Sequence, residues 1–296
     1  MNQEPAWDLY RTFLAVLREG SLSGAARALG LTQPTVSRHV EALEAAVGLD
    51  LFVRSQRGLD PTEAALELRP YAETLAATTA AMLRAASGHG SAVSGTVRVS
   101  ASEVVGVEVL PPILTALRAR HPHLTIELAL SNAVEDLLRR DADVAVRMVE
   151  PTQEALVARR VGTIPLGMHA HRRYLERRGV PATLEDLARH DVIGFDRETP
   201  AIRAMLRRVG GVDRALFALR SDSDLAQLAM IRAGFGIGVC QVPVAARDPG
   251  LVRVLADSFT LPLPTWVVMH EDLRSSPRCR TVFDALVEGM AAHMAG

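Results

Sequence analysis

The stretch "LTQPTVSRHVEALEAAVG", residues 31–48, decides the fold of the amino-terminal part of the chain. Thr32 is a residue type that caps helix N-termini, since its hydroxyl can accept a hydrogen bond from a backbone amide in the first turn. Pro34 suits that first turn, because its φ is already helical and its missing amide would have no partner there. The stretch therefore predicts a helix that begins at about Gln33 and ends at Gly48.

The preceding residues predict an earlier helix, over about residues 23–29, and a tight turn at Gly30. Two helices joined by so short a turn have the spacing of a helix-turn-helix. At 100° per residue Val36, Val40 and Leu43 share one face of the later helix, and we expect that face to pack on the earlier one. Periodicity alone is equally consistent with an ordinary pair of bundle helices.

The opposite face of the later helix is polar, and it starts at a helix N-terminus, where the dipole favours phosphate. Such a helix end can enter the major groove of double-stranded DNA. The residues that would meet the groove are Gln33, Pro34, Thr35, Ser37 and Arg38. After the helix, "LDLFVRSQRGLDPTE" predicts a hairpin wing whose Arg54 and Arg57 would contact phosphates.

Net charge does not by itself indicate nucleic-acid binding. The chain of 296 residues has 33 basic and 34 acidic residues, and every basic residue is an arginine. Residues 1–90 contain 8 Arg against 10 Asp plus Glu, a net charge of −2. The prediction of DNA binding therefore depends on where the arginines lie, and not on their number.

Residues 14–68 resemble the winged helix-turn-helix of the LysR-type transcriptional regulators, and the resemblance extends over essentially the whole chain. It is carried by a pair of small residues, a Gln-Pro-Thr-Val-Ser helix start, a Leu-Glu pair, a Leu-Phe-x-Arg run, an arginine in the wing and a Thr-Glu-Ala after it. These are Ala25 and Ala26, residues 33–37, Leu43 and Glu44, Leu51 to Arg54, Arg57, and residues 62–64. Two positions depart from the usual pattern: Val47 stands where leucine is common, and Ala65 where glycine is common.

The resemblance implies an α/β chain with a winged helix-turn-helix at its amino terminus. A long linker helix follows, and then a two-lobed α/β effector domain like the periplasmic binding proteins. We expect the DNA-binding domain at 1–60, the linker and hinge at 61–90, and the effector domain at 91–296. Its first lobe is expected over about 91–162 and 266–296, and its second over about 163–265. The small, polar stretch "SGHGSAVSG" lies at the expected boundary, and beyond it β-branched runs alternate with helical ones.

In this family the linker helix pairs two subunits, and the sequence contains a matching apolar seam at heptad spacing. The seam residues are Leu68, Tyr71, Leu75 and Met82. The resemblance implies a homodimer that assembles further into a tetramer, an inverted-repeat operator in double-stranded DNA, and RNA polymerase as a further partner. The alternative is that the stripe packs on its own domain.

Ligands of open parallel sheets bind at the carboxyl ends of the strands. The resemblance implies a small-molecule effector between the two lobes, and a small organic anion held by hydroxyls and helix N-termini is expected. The candidate contacts are Ser100, Ser102, Ser131, Arg147, Phe195, Asp222, Ser223 and Val242. Glu103 lies beside them and argues against a simple monoanion, and each candidate taken alone is more often a capping group.

The chain has no Gly-x-Ser-x-Gly, His-Glu-x-x-His or P-loop motif, so we expect no enzymatic activity, no cofactor and no metal. The open alternatives are a thiol-responsive regulator through Cys240 or Cys279, a metal-responsive one through the His-x-His pairs at 121–123 and 169–171, and, less favoured, an enzyme on the two-lobed domain. The amino terminus lacks a signal-peptide pattern and no apolar run approaches about 18 residues, so a cytoplasmic protein without a membrane partner is expected.

Overall fold

The computed structural model describes residues 4–55, 58–86, 93–132, 142–151, 156–199, 202–203 and 214–295. The described residues form two compact units, one ending at Ala86 and the other beginning at Val93. In the described part of the chain no helix is both long enough and apolar enough to cross a membrane.

The amino-terminal unit is a helix-turn-helix followed by a two-stranded wing and a long helix. Its elements are α1 Trp7–Glu19, α2 Leu22–Leu29, α3 Gln33–Val47, β1 Phe52–Ser55, β2 Gly58–Pro61 and α4 Glu63–Ala86. The glycine after α2, Gly30, has φ 66°, a left-handed conformation that glycine adopts without the cost of a side chain. The two helices and the hairpin wing predicted from the sequence are confirmed, as is Thr32 as the N-cap of α3.

The apolar face predicted for α3 forms the core of this unit. Val36 is fully buried and Val40 is 7% exposed, and both pack with Ala25 and Ala26 of α2. The small alanine side chains let the two helices approach closely. On the other side of α3, Leu43 packs with Phe13 of α1 in an adjoining cluster.

The wing is held by contacts to two different helices. Leu59 donates its backbone amide to the carbonyl of Gly20, just after α1, at 2.9 Å. The Glu44 carboxylate on α3 accepts from the backbone amides of Leu51 at 2.7 Å and Phe52 at 3.2 Å. Because both strands of the hairpin are bonded in this way, the position of the wing follows that of α1 and α3.

The second unit is built on one sheet, which has nine strands in the described residues, in the order β4-β3-β5-β11-β6-β9-β7-β8 with β10 beside β6. The strands are β3 Gly95–Ala101, β4 Leu124–Leu130, β5 Val144–Arg147, β6 Leu156–His171, β7 Val192–Gly194, β8 Phe217–Arg220, β9 Ile237–Gln241, β10 Leu251–Val254 and β11 Leu261–His270. Strands β4-β3-β5 are parallel to one another, as are β8-β7-β9. The long antiparallel strands β6 and β11 connect these two groups.

Helices cover the two groups of strands. They are a π-helical turn Val105–Val109, α5 Leu110–Arg120, α6 Arg172–Arg178, α7 Asp224–Ala233, α8 Val242–Ala245 and α9 Pro277–Ala295, with 3-10 turns at Glu185–Arg189, Arg214–Leu216 and Glu271–Leu273. We call β3–β5 with the π-helical turn, α5 and α9 the first lobe, and β7–β10 with α6, α7 and α8 the second lobe. The last helix of the chain, α9, packs on β3, β5 and α5 of the first lobe and also on β6 and β11.

Candidate functional site

The N-terminus of α3 is open and electrostatically positive. The Thr32 hydroxyl accepts from the backbone amide of Thr35 at 3.4 Å, and Pro34 fills the first turn. The first turn of α3 contains no acidic residue. The partial positive charge of the helix end is therefore not neutralised within the helix, and it is available to a phosphate.

The five predicted groove residues lie together on the outer side of α3. Gln33, Pro34 and Arg38 are exposed, whereas Thr35 and Ser37 are half-buried. The Thr35 hydroxyl lies 2.8 Å from the Thr32 hydroxyl, and Ser37 donates to a Glu41 carboxylate oxygen at 3.0 Å. These bonds orient the two hydroxyls, and the Ser23 hydroxyl donates to Gln33 Oε1 at 3.2 Å. The Arg38 guanidinium makes no hydrogen bond or ion pair to the described residues.

The wing contributes a second exposed arginine. Arg54 lies on β1, opposite Leu59 of β2, and it makes no ion pair with the part of the chain that the structure describes. Arg57 lies outside the described residues. Arg27, in the last turn of α2, is a further exposed cation that the sequence reasoning did not select, although its place opposite the buried Ala25 and Ala26 could have indicated it.

The predicted dimerisation seam on α4 is largely exposed. Tyr71 is 75% exposed, Met82 67% and Leu75 40%, so these apolar side chains have little cover within their own unit. Leu68 differs, because it packs against the cluster of Phe13 and Leu43. The first seam position thus contributes to the core of the amino-terminal unit, and the other three remain on an apolar surface.

In the first lobe, two predicted effector residues form a buried pair. Arg147 is 7% exposed and Ser100 is 4% exposed, and the Arg147 Nη2 atom donates to the Ser100 hydroxyl at 2.9 Å. Arg147 also donates to the carbonyl of Val146 at 3.1 Å. A buried guanidinium needs such bonds, because an unbonded buried charge is costly. Ser100 was predicted as an effector contact, and the structure places its side chain in the interior of the domain.

Ser102 and Ser131 lie at the carboxyl ends of neighbouring parallel strands, and both are half-buried. Ser131 donates its backbone amide to the carbonyl of Ala101 at 3.0 Å, which brings the two strand ends together. The backbone carbonyl of Ser102 accepts from Gly106 at 2.8 Å and so begins the helix that leads into α5.

In the second lobe, the predicted residues follow the strand ends. Phe195 is half-buried directly after β7, and Val242 is half-buried in the first turn of α8. The Asp222 carboxylate accepts from the backbone amides of Asp196 at 3.1 Å and Arg197 at 2.9 Å. These bonds connect the segment that follows β8 to the segment that follows β7.

Ser223 connects the second lobe to the first. Its hydroxyl is the N-cap of α7, accepting from Ala226 at 3.3 Å, and it also donates to the Glu103 carboxylate at 2.8 Å. Asp224 lies next to it, and its pKa is raised to about 6 by burial and by the negative charge of Glu103. Sequence reasoning noticed Glu103 but missed Asp224, because the two residues are far apart in the chain and meet only in the folded domain.

The thiol and metal alternatives gain no support from the site geometry. Both cysteines are buried, and burial raises the pKa of Cys240 to about 12, so its reactive thiolate is scarce. The Cys240 Sγ atom lies 3.3 Å from Nδ1 of His169, and burial lowers the pKa of this imidazole. Within the described residues there is no cluster of three or more His, Cys, Asp or Glu that could hold a metal ion.

Comparison with known proteins covers both units. Residues 7–66 match the family described as "Bacterial regulatory helix-turn-helix protein, lysR family", and residues 90–291 match the "LysR substrate binding domain". The chain is 30% identical over 290 residues to the transcriptional regulator CrgA of Neisseria meningitidis serogroup C, covering 96% of this chain and 97% of the relative. It is 26% identical to PgrR of Escherichia coli, over 96% of this chain and 97% of the relative.

Solved structures share the fold. The full-length virulence activator AphB of Vibrio cholerae matches with a TM-score of 0.62 at 22% identity, over 96% of this chain and 99% of that one. CbnR, a LysR family transcriptional regulator, matches with a TM-score of 0.66 at 20% identity, over 98% and 99% of the two chains. The two matched domains, in this order and over this length, show that the chain belongs to the LysR family of DNA-binding transcriptional regulators, with an amino-terminal helix-turn-helix and a carboxyl-terminal effector-binding domain.

Proposed function

We propose that the protein recognises a specific DNA sequence by inserting the N-terminal turn of α3 into the major groove. The observation that carries this proposal is the exposed, uncompensated N-terminus of α3 beside the unpaired guanidinium of Arg38. Full-length CbnR, whose fold this chain resembles, has been solved in complex with its target DNA. We infer that the chain acts in the cytoplasm, where the DNA that it binds lies.

The two exposed arginines have different proposed roles. Arg38, on the helix that enters the groove, donates to base edges, where one good bidentate contact discriminates by about 1–3 kcal/mol. Arg54, on the wing, neutralises backbone phosphate, and Arg57 is assigned the same role. Gln33, Pro34, Thr35 and Ser37 shape the contact surface around Arg38.

The test first uses the purified chain to select its preferred binding site from a pool of DNA duplexes of random sequence. Arg38→Ala should weaken binding to that site by about 5- to 150-fold and weaken binding to random DNA much less. Arg54→Ala should weaken both alike and lower the salt slope by about one. Arg11→Ala removes an exposed arginine from α1 and serves as the control with unchanged binding. Equal losses on selected and random DNA for Arg38→Ala would contradict its role at the bases.

We also propose that α4 pairs two copies of the chain through Tyr71, Leu75 and Met82, and that the dimer reads an inverted repeat. Exposed apolar side chains on one face of a 24-residue helix support this assembly. Met82→Glu should give monomers in sedimentation velocity. Ala80→Glu places the same charge on the opposite face of the helix and should leave the dimer intact. Dimers that survive Met82→Glu would place the interface elsewhere.

The effector is proposed to be a small organic molecule bound at the strand ends of the two lobes. The half-buried hydroxyls of Ser102 and Ser131, at adjacent strand ends, and of Ser223, which is bonded to Glu103 of the first lobe, support it, because they offer polar groups on partly covered surface. An anionic effector would contact these hydroxyls. In a thermal-shift screen of small acids, a binder should raise the melting temperature of the chain, and Ser102→Ala should reduce that rise. A rise unchanged by Ser102→Ala would remove this residue from the site.

A further inference from the structure

One helix of the second lobe, α7, is bonded at both ends to a single short segment of the first lobe, residues 103–108. At its N-terminal end, the Ser223 hydroxyl donates to Glu103 Oε2 at 2.8 Å. The Glu103 backbone amide donates in turn to the side-chain oxygen of Asn132 at 3.1 Å. The glutamate is therefore held from within its own lobe while its carboxylate reaches the other lobe.

At its C-terminal end, α7 is held by a bidentate ion pair. The Arg232 guanidinium donates to Glu108 Oε1 at 2.6 Å and to Oε2 at 2.9 Å, and Asp248 lies 3.7 Å from the Arg232 Nε atom. The hydrogen bond from Arg232 lowers the pKa of Glu108, so this carboxyl stays ionised. Arg247 of the second lobe adds a bond to the backbone carbonyl of Glu108 at 2.6 Å and one to His293 of α9 at 2.7 Å.

The two glutamates belong to one rigid piece of backbone. Glu103 lies just before the π-helical turn and Glu108 lies within it, and the turn is closed by a bond from the amide of Leu110 to the carbonyl of Val105. Helix α7 has 10 residues, so its ends lie about 15 Å apart. Two rigid elements joined at both ends cannot rotate against each other unless one of the joints opens.

The two joints differ in strength. The Glu108 joint has a bidentate guanidinium–carboxylate pair and two further arginine bonds, which is the strongest pairing geometry between side chains. The Glu103 joint has one hydroxyl–carboxylate bond, and the neighbouring Asp224 carboxyl repels Glu103 whenever both are ionised. When the lobes separate, the Glu103 joint therefore opens first and the Glu108 joint acts as the pivot.

We propose that the Glu103–Ser223 hydrogen bond is a latch that keeps the two lobes of the effector domain closed in the absence of ligand, with the Glu108–Arg232–Arg247 contacts as the pivot. The inference rests on the proposed function in one respect: an effector that engages the Ser223 hydroxyl must displace Glu103 and so release the latch. The hydrogen bond itself needs no effector, because both of its partners belong to the chain.

The test measures the distance between the lobes in the full chain, with neither effector nor DNA. Spin labels at Thr125→Cys on the first lobe and Val180→Cys on the second, both exposed positions, report that distance by pulsed electron paramagnetic resonance. Two variants should open the latch: Glu103→Ala, and Ser223→Asp, which keeps an N-cap acceptor but cannot donate. Each should lengthen the mean distance by about 5 Å, the size of a one-turn shift of one element past another, and broaden its distribution. Far-UV circular dichroism checks that each variant is folded.

Two matched variants should keep the closed distance. Glu103→Gln keeps an oxygen that accepts from Ser223 and removes the repulsion from Asp224, and Glu288→Ala removes an exposed glutamate from α9. An unchanged distance in Glu103→Ala and Ser223→Asp overturns the latch, as does an opened Glu103→Gln. Because no ligand is present, these outcomes do not depend on effector binding. Loss of DNA binding or of effector response in separate assays would instead count against the proposed function.

Discussion

Replacing Asp224 by asparagine should stabilise the effector domain, and the gain should depend on pH. Asp224 lies in the first turn of α7, where burial and the charge of Glu103 raise its pKa from 3.8 to about 6. At about 1.4 kcal/mol per pKa unit, a shift of about 2 units lowers the free energy of unfolding by about 3 kcal/mol at pH 7, where Asp224 is ionised. The dipole of α7 favours the negative charge by only about 0.3–1 kcal/mol, so the cost prevails.

The sign of the pH dependence follows from proton binding. Since the folded pKa is the higher one, the folded chain binds the proton more tightly than the unfolded chain does. The proton on Asp224 makes its full contribution to the free energy of unfolding below the pKa of the unfolded state. That contribution declines as the pH rises above about 4 and is lost above about 6. Asparagine is neutral at every pH, so Asp224→Asn should gain about 0.5 kcal/mol at pH 4 and about 2–3 kcal/mol at pH 7.

Thermal unfolding of the full chain, followed by calorimetry, measures the effect. For a unit of this size about 2–3 kcal/mol corresponds to a rise of about 4–10 °C in the melting transition at pH 7. Asp257→Asn changes an exposed carboxyl in the same lobe and should leave the transition within about 1 °C. A gain of equal size at pH 4 and pH 7, or a loss at pH 7, would refute the reasoning that burial and Glu103 repel the ionised carboxylate.

Two further predictions concern the wing and the thiols. Gly58 has φ 131° and an added Cβ would lie 2.5 Å from the carbonyl oxygen of Gly20, so Gly58→Ala should displace the wing and lower DNA affinity while far-UV circular dichroism stays unchanged. Gly179→Ala, in the effector domain, is the control, because Gly179 is also at positive φ but has open space around it. Full DNA binding by Gly58→Ala would show that the wing tolerates the shift. With its pKa raised to about 12, Cys240 should resist iodoacetamide at pH 8 until the chain is unfolded, and rapid alkylation of the native protein would show an accessible thiolate.

The helix-turn-helix could be predicted because its signals are local. Thr32 and Pro34 mark the start of a helix through contacts within one turn, and Gly30 marks the turn through its own φ. The faces of α3 follow from the helical period, so burial of Val36 was predictable without knowledge of the rest of the chain. The family resemblance then extended the prediction to the α/β class of the second unit.

Other features depended on which distant residues meet. Leu68 has the heptad spacing of a seam residue, yet it packs into the core of its own unit because α1 lies beside it. Arg147 and Ser100 stand 47 residues apart, and their mutual bond in a buried position follows from the pairing of β3 with β5.

The amino-acid sequence by itself determined where the helices of the DNA-binding unit begin, which of their faces are apolar, and which side chains remain outside. Only the tertiary structure decided that Glu103 reaches Ser223 across 120 positions of chain and that Asp224 acquires its raised pKa there. Periodicity assigns a side chain to a face of its own helix or strand. Its partner on another element, and the electrostatic environment that the two create, come from strand order and long-range packing.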